Sequence, residues 1–210
     1  MRRRTLIVAI VAGAAALGGA AFALVAAKDR MYAPSPPYAP RGEPNRHAVV
    51  VYYSRSGHSE AVAREIARTL NAPIARIDAD YPRDLGGQAT AVSDARAGVL
   101  PAIRVEAHDL APARRVFLVS PTWMFRPATP LWAYVEQADL AAKEVVLVTT
   151  GNSRFEQDET DAFAARVRAR GGRLVRHVFL RRGRVYWQKS RESTLREVRE
   201  QLRAEIEAAR

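Results

Sequence analysis

Apolar residues along this chain follow two rhythms. Five short runs read as strands. Segments 48–53 (AVVVYY), 115–120 (RVFLVS) and 144–150 (EVVLVTT) are continuous and rich in β-branched residues, as suits central parallel strands covered on both faces. Segments 73–78 (PIARID) and 173–180 (RLVRHVFL) are interrupted by charge, as edge strands usually are. Between the runs, apolar positions recur at helical spacing. Over 59–70, Val62, Ile66 and Leu70 repeat every four residues, which predicts an outer face of Glu60, Arg64, Glu65 and Arg68. Segment 157–170 opens with Asp158 and Glu159 and closes with three arginines before Gly171-Gly172, charges that complement a helix dipole and glycines that end it. Segment 191–209 places Leu195, Val198, Leu202 and Ile206 on one stripe, and 88–97 reads as a further short helix. Residues 123–137 turn past Pro127 and Pro130 into a helix with proline at its start; its Trp132 and Tyr134 read as packing residues.

Strands and helices therefore alternate, which predicts an α/β domain over 47–210 with a doubly wound, five-stranded parallel sheet. Three central runs flanked by two edge-like ones fit the order 2-1-3-4-5. Ligands of such sheets sit beyond the carboxyl ends of the strands, near the switch point between strands 1 and 3.

The first 46 residues do not fit this pattern. Thr5 to Ala27 carries no charge, follows three arginines and precedes Lys28 and Arg30. At about 1.5 Å per residue it is long enough to cross a ~30 Å hydrocarbon core. Residues 1–30 thus read as a single-span membrane anchor or as a removable export signal, with Val25 and Ala27 as a small-residue cleavage site. Arg3-Arg4-Thr5-Leu6-Ile7 resembles the twin-arginine export pattern, which would carry a domain already folded around a cofactor; an ordinary basic start is the plainer reading. The expected location is the inner membrane, single-pass, with the domain on the periplasmic side, or else the periplasm as an exported soluble protein. Residues 31–46 hold five prolines and no apolar periodicity, the composition of a semi-rigid linker.

Composition narrows the chemistry. The 210-residue chain has no cysteine, which excludes disulfides, thiolate nucleophiles and cysteine-ligated metals. Its net charge is +11; residues 1–46 contribute seven Lys/Arg and two Asp/Glu, so the remainder is basic as well. A basic domain favours acidic protein partners, phosphorylated substrates, anionic lipid or nucleic acid, although an arginine-preferring genome gives the same balance. The four histidines are scattered, and no His/Asp/Glu set has metal-ligand spacing. No base and acid surround Ser56-Gly57-His58 as a triad would require. No nucleic-acid module is recognisable.

The loop directly after the first strand, Ser54-Arg55-Ser56-Gly57-His58-Ser59, is the main candidate site. It offers hydroxyls, a glycine that permits close backbone approach, and the amide-bearing start of the next helix, where the dipole favours an anion. It lacks the spacing of a nucleoside-triphosphate loop and has no Gly-x-Gly-x-x-Gly. A monophosphate fits, and so does a plain capping turn.

Here the residues resemble a family. YSRSGHS is similar to the phosphate loop of flavodoxins, which wraps the phosphate of FMN. VSPTWMFRPATPLWAYVEQ resembles the loop after strand 3 in flavodoxin-like proteins, including the NAD(P)H-quinone reductase type, and LVTTGNSRF is placed like the loop after strand 4. The resemblance covers 47–180 and implies the following roles. Ser54, Arg55, Ser56, Gly57, His58 and Ser59 would hold the FMN phosphate. Pro121, Thr122, Trp123, Met124 and Phe125 would line one side of the flavin ring, with Trp123 stacked on it. Thr150, Gly151, Asn152 and Phe155 would line the other. No side chain is required as acid or base, because the flavin carries the redox chemistry. One-electron transfer and two-electron oxidoreduction both fit, with a redox partner protein or a small-molecule electron acceptor. Two departures stand out. Phe125-Arg126 replaces the family's glycine after the aromatic pair. Arg181, Arg182 and Arg184 make the fifth strand's end basic, fit to dock an acidic partner or a nicotinamide-cofactor phosphate, or merely a solvated turn. A flavin-free flavodoxin-like module that binds a partner at the membrane is the alternative.

Overall fold

The computed structural model describes residues 34–184 and 187–209, with 13, 16–20 and 27 of the leader. Six strands form the path of the main sheet: β1 (Ala48–Tyr53), β2 (Ile74–Ala79), β3 (Ile103–Val105), β4 (Arg115–Trp123), β6 (Glu144–Gly151) and β7 (Arg173–Arg181). A short β5 (Arg126–Pro127) pairs with β4, and β8 (Gly183–Arg184) with β9 (Trp187–Gln188) makes a separate ladder. The helices are α1 (His58–Leu70), α2 (Leu85–Ala97), α3 (Thr129–Gln137), α4 (Gln157–Ala169), α5 (Arg191–Gln201) and α6 (Arg203–Glu207).

The main path runs β3-β2-β1-β4-β6-β7. Its five parallel strands take the order expected from sequence, 2-1-3-4-5. The fold is thus the doubly wound α/β type, with one addition. β3 pairs antiparallel with β2, Ile77 opposite Val105, so β2 is not an edge strand. Three residues with one central arginine are too short a run to announce a strand.

All six residues of β1 are buried. Alternate side chains serve opposite faces. Val49, Val51 and Tyr53 join Leu131, Val135, Phe163 and Val167 from α3 and α4 on one side. Ala48, Val50 and Tyr52 join Val62 and Ile66 of α1, Val198 of α5 and Leu202 at the end of α5 on the other. Trp132 and Tyr134 are core residues; the Trp132 indole donates to Pro127 O at 3.0 Å and meets Phe163 edge-on.

The face of α1 expected to meet solvent is partly covered. Glu60 and Glu65 are buried. Glu60 pairs with Arg64 at 2.8 Å, and Glu65 pairs with Arg68 and with Arg199 of α5. α5 packs along this flank, so the charges there are matched rather than solvated.

The proline-rich segment also departs from the spacer reading. Residues 34–46 lie against the domain. The Tyr38 hydroxyl reaches Ala67 O at 2.8 Å and Ala72 O at 3.1 Å, and its ring packs on the α1/α5 core. Asn71 holds the backbone of Arg41 and Glu43, and the Asn45 side chain donates to Ala209 O at 2.7 Å. The anchor or export reading of residues 1–30 falls mostly outside the described residues. Among the described residues no helix is long and apolar enough to cross a membrane.

Candidate cofactor site

Parallel β1 delivers its carboxyl end straight into the turn 54–57. Gly57 adopts φ 85°, a left-handed conformation suited to glycine, and stands at the N-cap of α1. Its amide donates to Ser54 Oγ at 3.1 Å. No side chain caps this end of α1, so its dipole and amides face the space in front of the loop. The three hydroxyls divide their work. Ser54 braces the turn, Ser56 faces the cavity, and Ser59 is buried with its Oγ 2.8 Å from Thr150 Oγ1. Arg55 reaches across to the carbonyls of Pro82, which it bonds at 2.5 Å, and Asp84 at 3.1 Å. This ties the loop after β1 to the loop after β2.

β4 runs three residues past Ser120. A two-residue turn, Met124-Phe125, then reverses it into β5, with Trp123 opposite Arg126. Both turn residues have positive φ, 48° and 69°, the φ signs of a type I′ hairpin turn, where Asn-Gly is usual. Two bulky residues in this region store strain beside the site. Trp123 is held edge-to-face by Tyr53 at 5.5 Å and Tyr81 at 5.0 Å. Burial raises both phenols well above their ordinary value, that of Tyr81 to about 12, so both are neutral. Arg126 is structural. It donates to Ala95 O, pairs with Glu159 at 3.1 Å and stacks on Trp132. It therefore packs within the protein instead of lining the cavity between the loops.

β6 ends at Gly151. A Cβ there would stand 2.2 Å from Thr122 Oγ1 and 2.8 Å from the Phe179 ring, so glycine is required for the loops after β4 and β6 to approach. The two loops are also tied by a bond from Glu156 N to Phe125 O at 2.9 Å.

The three loops converge on one cavity of about 250 Å³ at the carboxyl edge of the sheet. Arg55 and Ser56 contribute from the first loop, Pro121, Thr122, Trp123 and Met124 from the second, and Thr150, Gly151 and Asn152 from the third. The remaining expected residues stand apart from the lining. Phe125 lies under the Arg154 guanidinium at 4.5 Å. Phe155 packs on His177 and Phe179. His58 faces a neighbouring recess with Arg182, Lys189 and Arg191. Gly57, Ser54 and Ser59 act through backbone shape and internal bonds.

Two contributions were not foreseen. Gln88, Ala91 and Val92 of α2 form one wall, which the alanine-rich α2 sequence gave no reason to expect. Arg182 lines both the cavity and the neighbouring recess, where the sequence reading offered a partner dock, a site for a nicotinamide-cofactor phosphate or a solvated turn. A second cavity of about 520 Å³ opens near His47, Arg115 and Glu144. It lies at the amino ends of the strands and touches none of the three loops.

The arrangement fits a phosphorylated, flat, amphipathic ligand. An uncapped helix start and two arginines suit the anion. Trp123, Met124 and Ala91 suit an aromatic ring system, and the amides near Gly151 and Asn152 suit its polar edge.

No protein-family model and no curated protein matches the chain. Solved structures do. A flavoprotein of Lactobacillus acidophilus NCFM in complex with FMN aligns at 19% identity over 63% of this chain and 91% of its own, with TM-score 0.56. The apo form of the Lactobacillus acidophilus NCFM flavoprotein aligns at 17% identity over 66% and 93%, with TM-score 0.51. A protein of Bacteroides uniformis ATCC 8492 assigned to the flavoproteins aligns at 18% identity over 76% and 99%, with TM-score 0.56. At this identity the likeness speaks for architecture: the chain has the flavodoxin-like fold.

Proposed function

We propose that this protein binds FMN at the carboxyl edge of its sheet and works in electron transfer or flavin-dependent oxidoreduction. The observation that carries this reading is the meeting of three loops, 54–59, 121–125 and 150–152, around one cavity. Those loops were singled out from sequence for their likeness to flavin loops, and protein atoms do not fill the space between them. FMN is the ligand named for one of the structural neighbours.

In this reading the start of α1, Ser56, Arg55 and Arg182 receive the phosphate. Trp123 and Met124 flank the ring, and backbone groups at Gly151 and Asn152 meet its pyrimidine edge. Bound FMN supplies the redox chemistry. The chain orients the ring, excludes water on the Trp123 side and sets the local charge. Residues 1–30 hold the domain at the inner membrane or direct its export. The basis is an uncharged run of 23 residues behind three arginines.

The test is direct. The full chain purified in mild detergent should carry a yellow chromophore, or should bind added FMN and quench its fluorescence. A colourless chain that ignores FMN would leave the flavin-free module as the account. Replacing Arg3 and Arg4 together by lysine should block export if the leader uses the twin-arginine route; unchanged export removes that route.

A further inference from the structure

The docked proline-rich segment fixes where Pro34 lies on the domain. Followed toward lower residue numbers, the chain leaves Asn71 at the carboxyl end of α1. It passes Ala67 at Tyr38 and Arg64 at Pro36, where Arg64 Nη1 donates to Pro36 O at 2.6 Å. It reaches Arg191, whose guanidinium bonds Pro34 O at 3.3 Å and Ser35 Oγ. Arg191 is the first residue of α5, three residues beyond β9. From Asn71 to Pro34 the segment thus climbs the side of the domain to the edge of the sheet that holds the cavity. In sequence only residues 31–33 separate this point from the leader.

That same edge has the surface chemistry of a membrane contact. Trp187 is 49% exposed on the β8–β9 ladder and Leu85 is 65% exposed at the start of α2. They flank the cavity, since the loop preceding Leu85 is bonded by Arg55 and the chain leading to Trp187 passes through Arg182, both cavity residues. Trp187 is held in place by Gly183, where a Cβ would stand 2.3 Å from the indole. Four of the ten residues 181–190 are basic and none is acidic. Tryptophan among arginines and lysines is the composition that settles at the headgroup level of an anionic bilayer.

We propose that the cavity edge lies against an anionic phospholipid surface, with Trp187 and Leu85 at the headgroup boundary and Arg181 beside them. This rests on the reading of residues 1–30 as a membrane segment. The proline-rich segment then orients the domain instead of spacing it away, and the cavity opens toward the bilayer. Its electron acceptor or donor would be reached through the membrane face.

The test uses the full chain reconstituted into phosphatidylcholine–phosphatidylglycerol vesicles with and without brominated lipid. Flotation reports attachment. The Trp187 signal is the difference between the wild type and Trp187→Phe. Because the chain has no cysteine, Leu85→Cys accepts a single environment-sensitive label and gives an independent reading across the cavity. Retained FMN binding is the fold control for both variants. Brominated lipid should quench the Trp187 signal about twofold, the label should report an apolar boundary, and Arg181→Glu should weaken both effects. If the chain floats while Trp187 and the label stay open to aqueous iodide, the edge faces solvent, as for docking a soluble acidic protein, and the proposal falls while the anchor stands. If the chain does not float, the membrane reading of residues 1–30 fails and the orientation with it; FMN binding is unaffected by that outcome.

Discussion

Ser59 Oγ and Thr150 Oγ1 lie 2.8 Å apart, joining residues 91 positions distant in the chain. Ser59 belongs to the first turn of α1 and Thr150 to the end of β6, and both are buried. The bond therefore couples the proposed phosphate loop to the loop at the far side of the ring. Removing one hydroxyl leaves the other without this partner, and a buried unsatisfied hydroxyl costs about 1–3 kcal/mol.

Ser59→Ala and Thr150→Val should each lower unfolding stability by about 1–2 kcal/mol. The double variant should lose less than the sum, because both changes remove the same bond. Strict additivity in denaturant titrations would show that the two hydroxyls do not support each other.

In the proposed FMN site Trp123, which lines the cavity, carries the ring contact. Its position is set by Tyr53 and Tyr81, not by the ligand. Trp123→Ala should weaken FMN binding at least about tenfold, while Trp123→Phe keeps most of it. A fluorescence titration giving equal affinities for all three proteins would remove the indole from the site.

Met124 sits at φ 48° in the hairpin turn, a region where asparagine is at ease and an unbranched apolar side chain is not. Met124→Asn should raise the stability of the FMN-free chain by about 0.5–1 kcal/mol. Unchanged or lower stability would mean that the turn stores no releasable strain.

What was legible in the sequence follows from how local each signal is. The three central parallel strands declared themselves because both-sided burial demands unbroken β-branched runs such as AVVVYY, and the two flanking ones showed through charge-interrupted runs such as PIARID. The three candidate loops were found because strand ends in this architecture share an edge. The hairpin at Met124-Phe125 was hidden, since neither residue advertises a positive φ. Glu60 and Glu65 looked like surface residues because the arginines that match them come partly from α5, far along the chain. The proline-rich segment read as a spacer by composition. Its docking depends on Tyr38, Asn45 and Asn71, whose bonds are tertiary. Phe155 was placed at the ring by resemblance alone; its packing on His177 and Phe179 is tertiary and left no local signal.

The docking of that segment has its own consequence. The Tyr38 hydroxyl serves two carbonyls at the end of α1. Tyr38→Phe should cost about 1 kcal/mol, and Tyr38→Ala more, through lost packing as well. The alanine variant should also expose residues 34–45 to limited proteolysis. Equal cleavage rates for wild type and Tyr38→Ala would restore the free-spacer picture.

His177 gives the pH prediction. Its ring lies between Thr149, 2.8 Å from Nε2, and Thr160, 3.2 Å from Nδ1, with the Phe155 ring packed T-shaped against it. A neutral imidazole offers one donor and one acceptor, and two hydroxyls can meet both. Burial pushes its pKa down from 6.5 to about 4. The folded value lies below the unfolded one, so between them the unfolded chain binds the extra proton. This contribution to stability is complete above about pH 6.5 and is lost as pH falls toward about 4. The loss amounts to at most about 3 kcal/mol. His177→Asn should be less stable at neutral pH yet should show a flatter decline across this window than the wild type. Parallel declines for the two proteins, followed by denaturant unfolding at several pH values, would assign the acid sensitivity to other groups and remove His177 from the account.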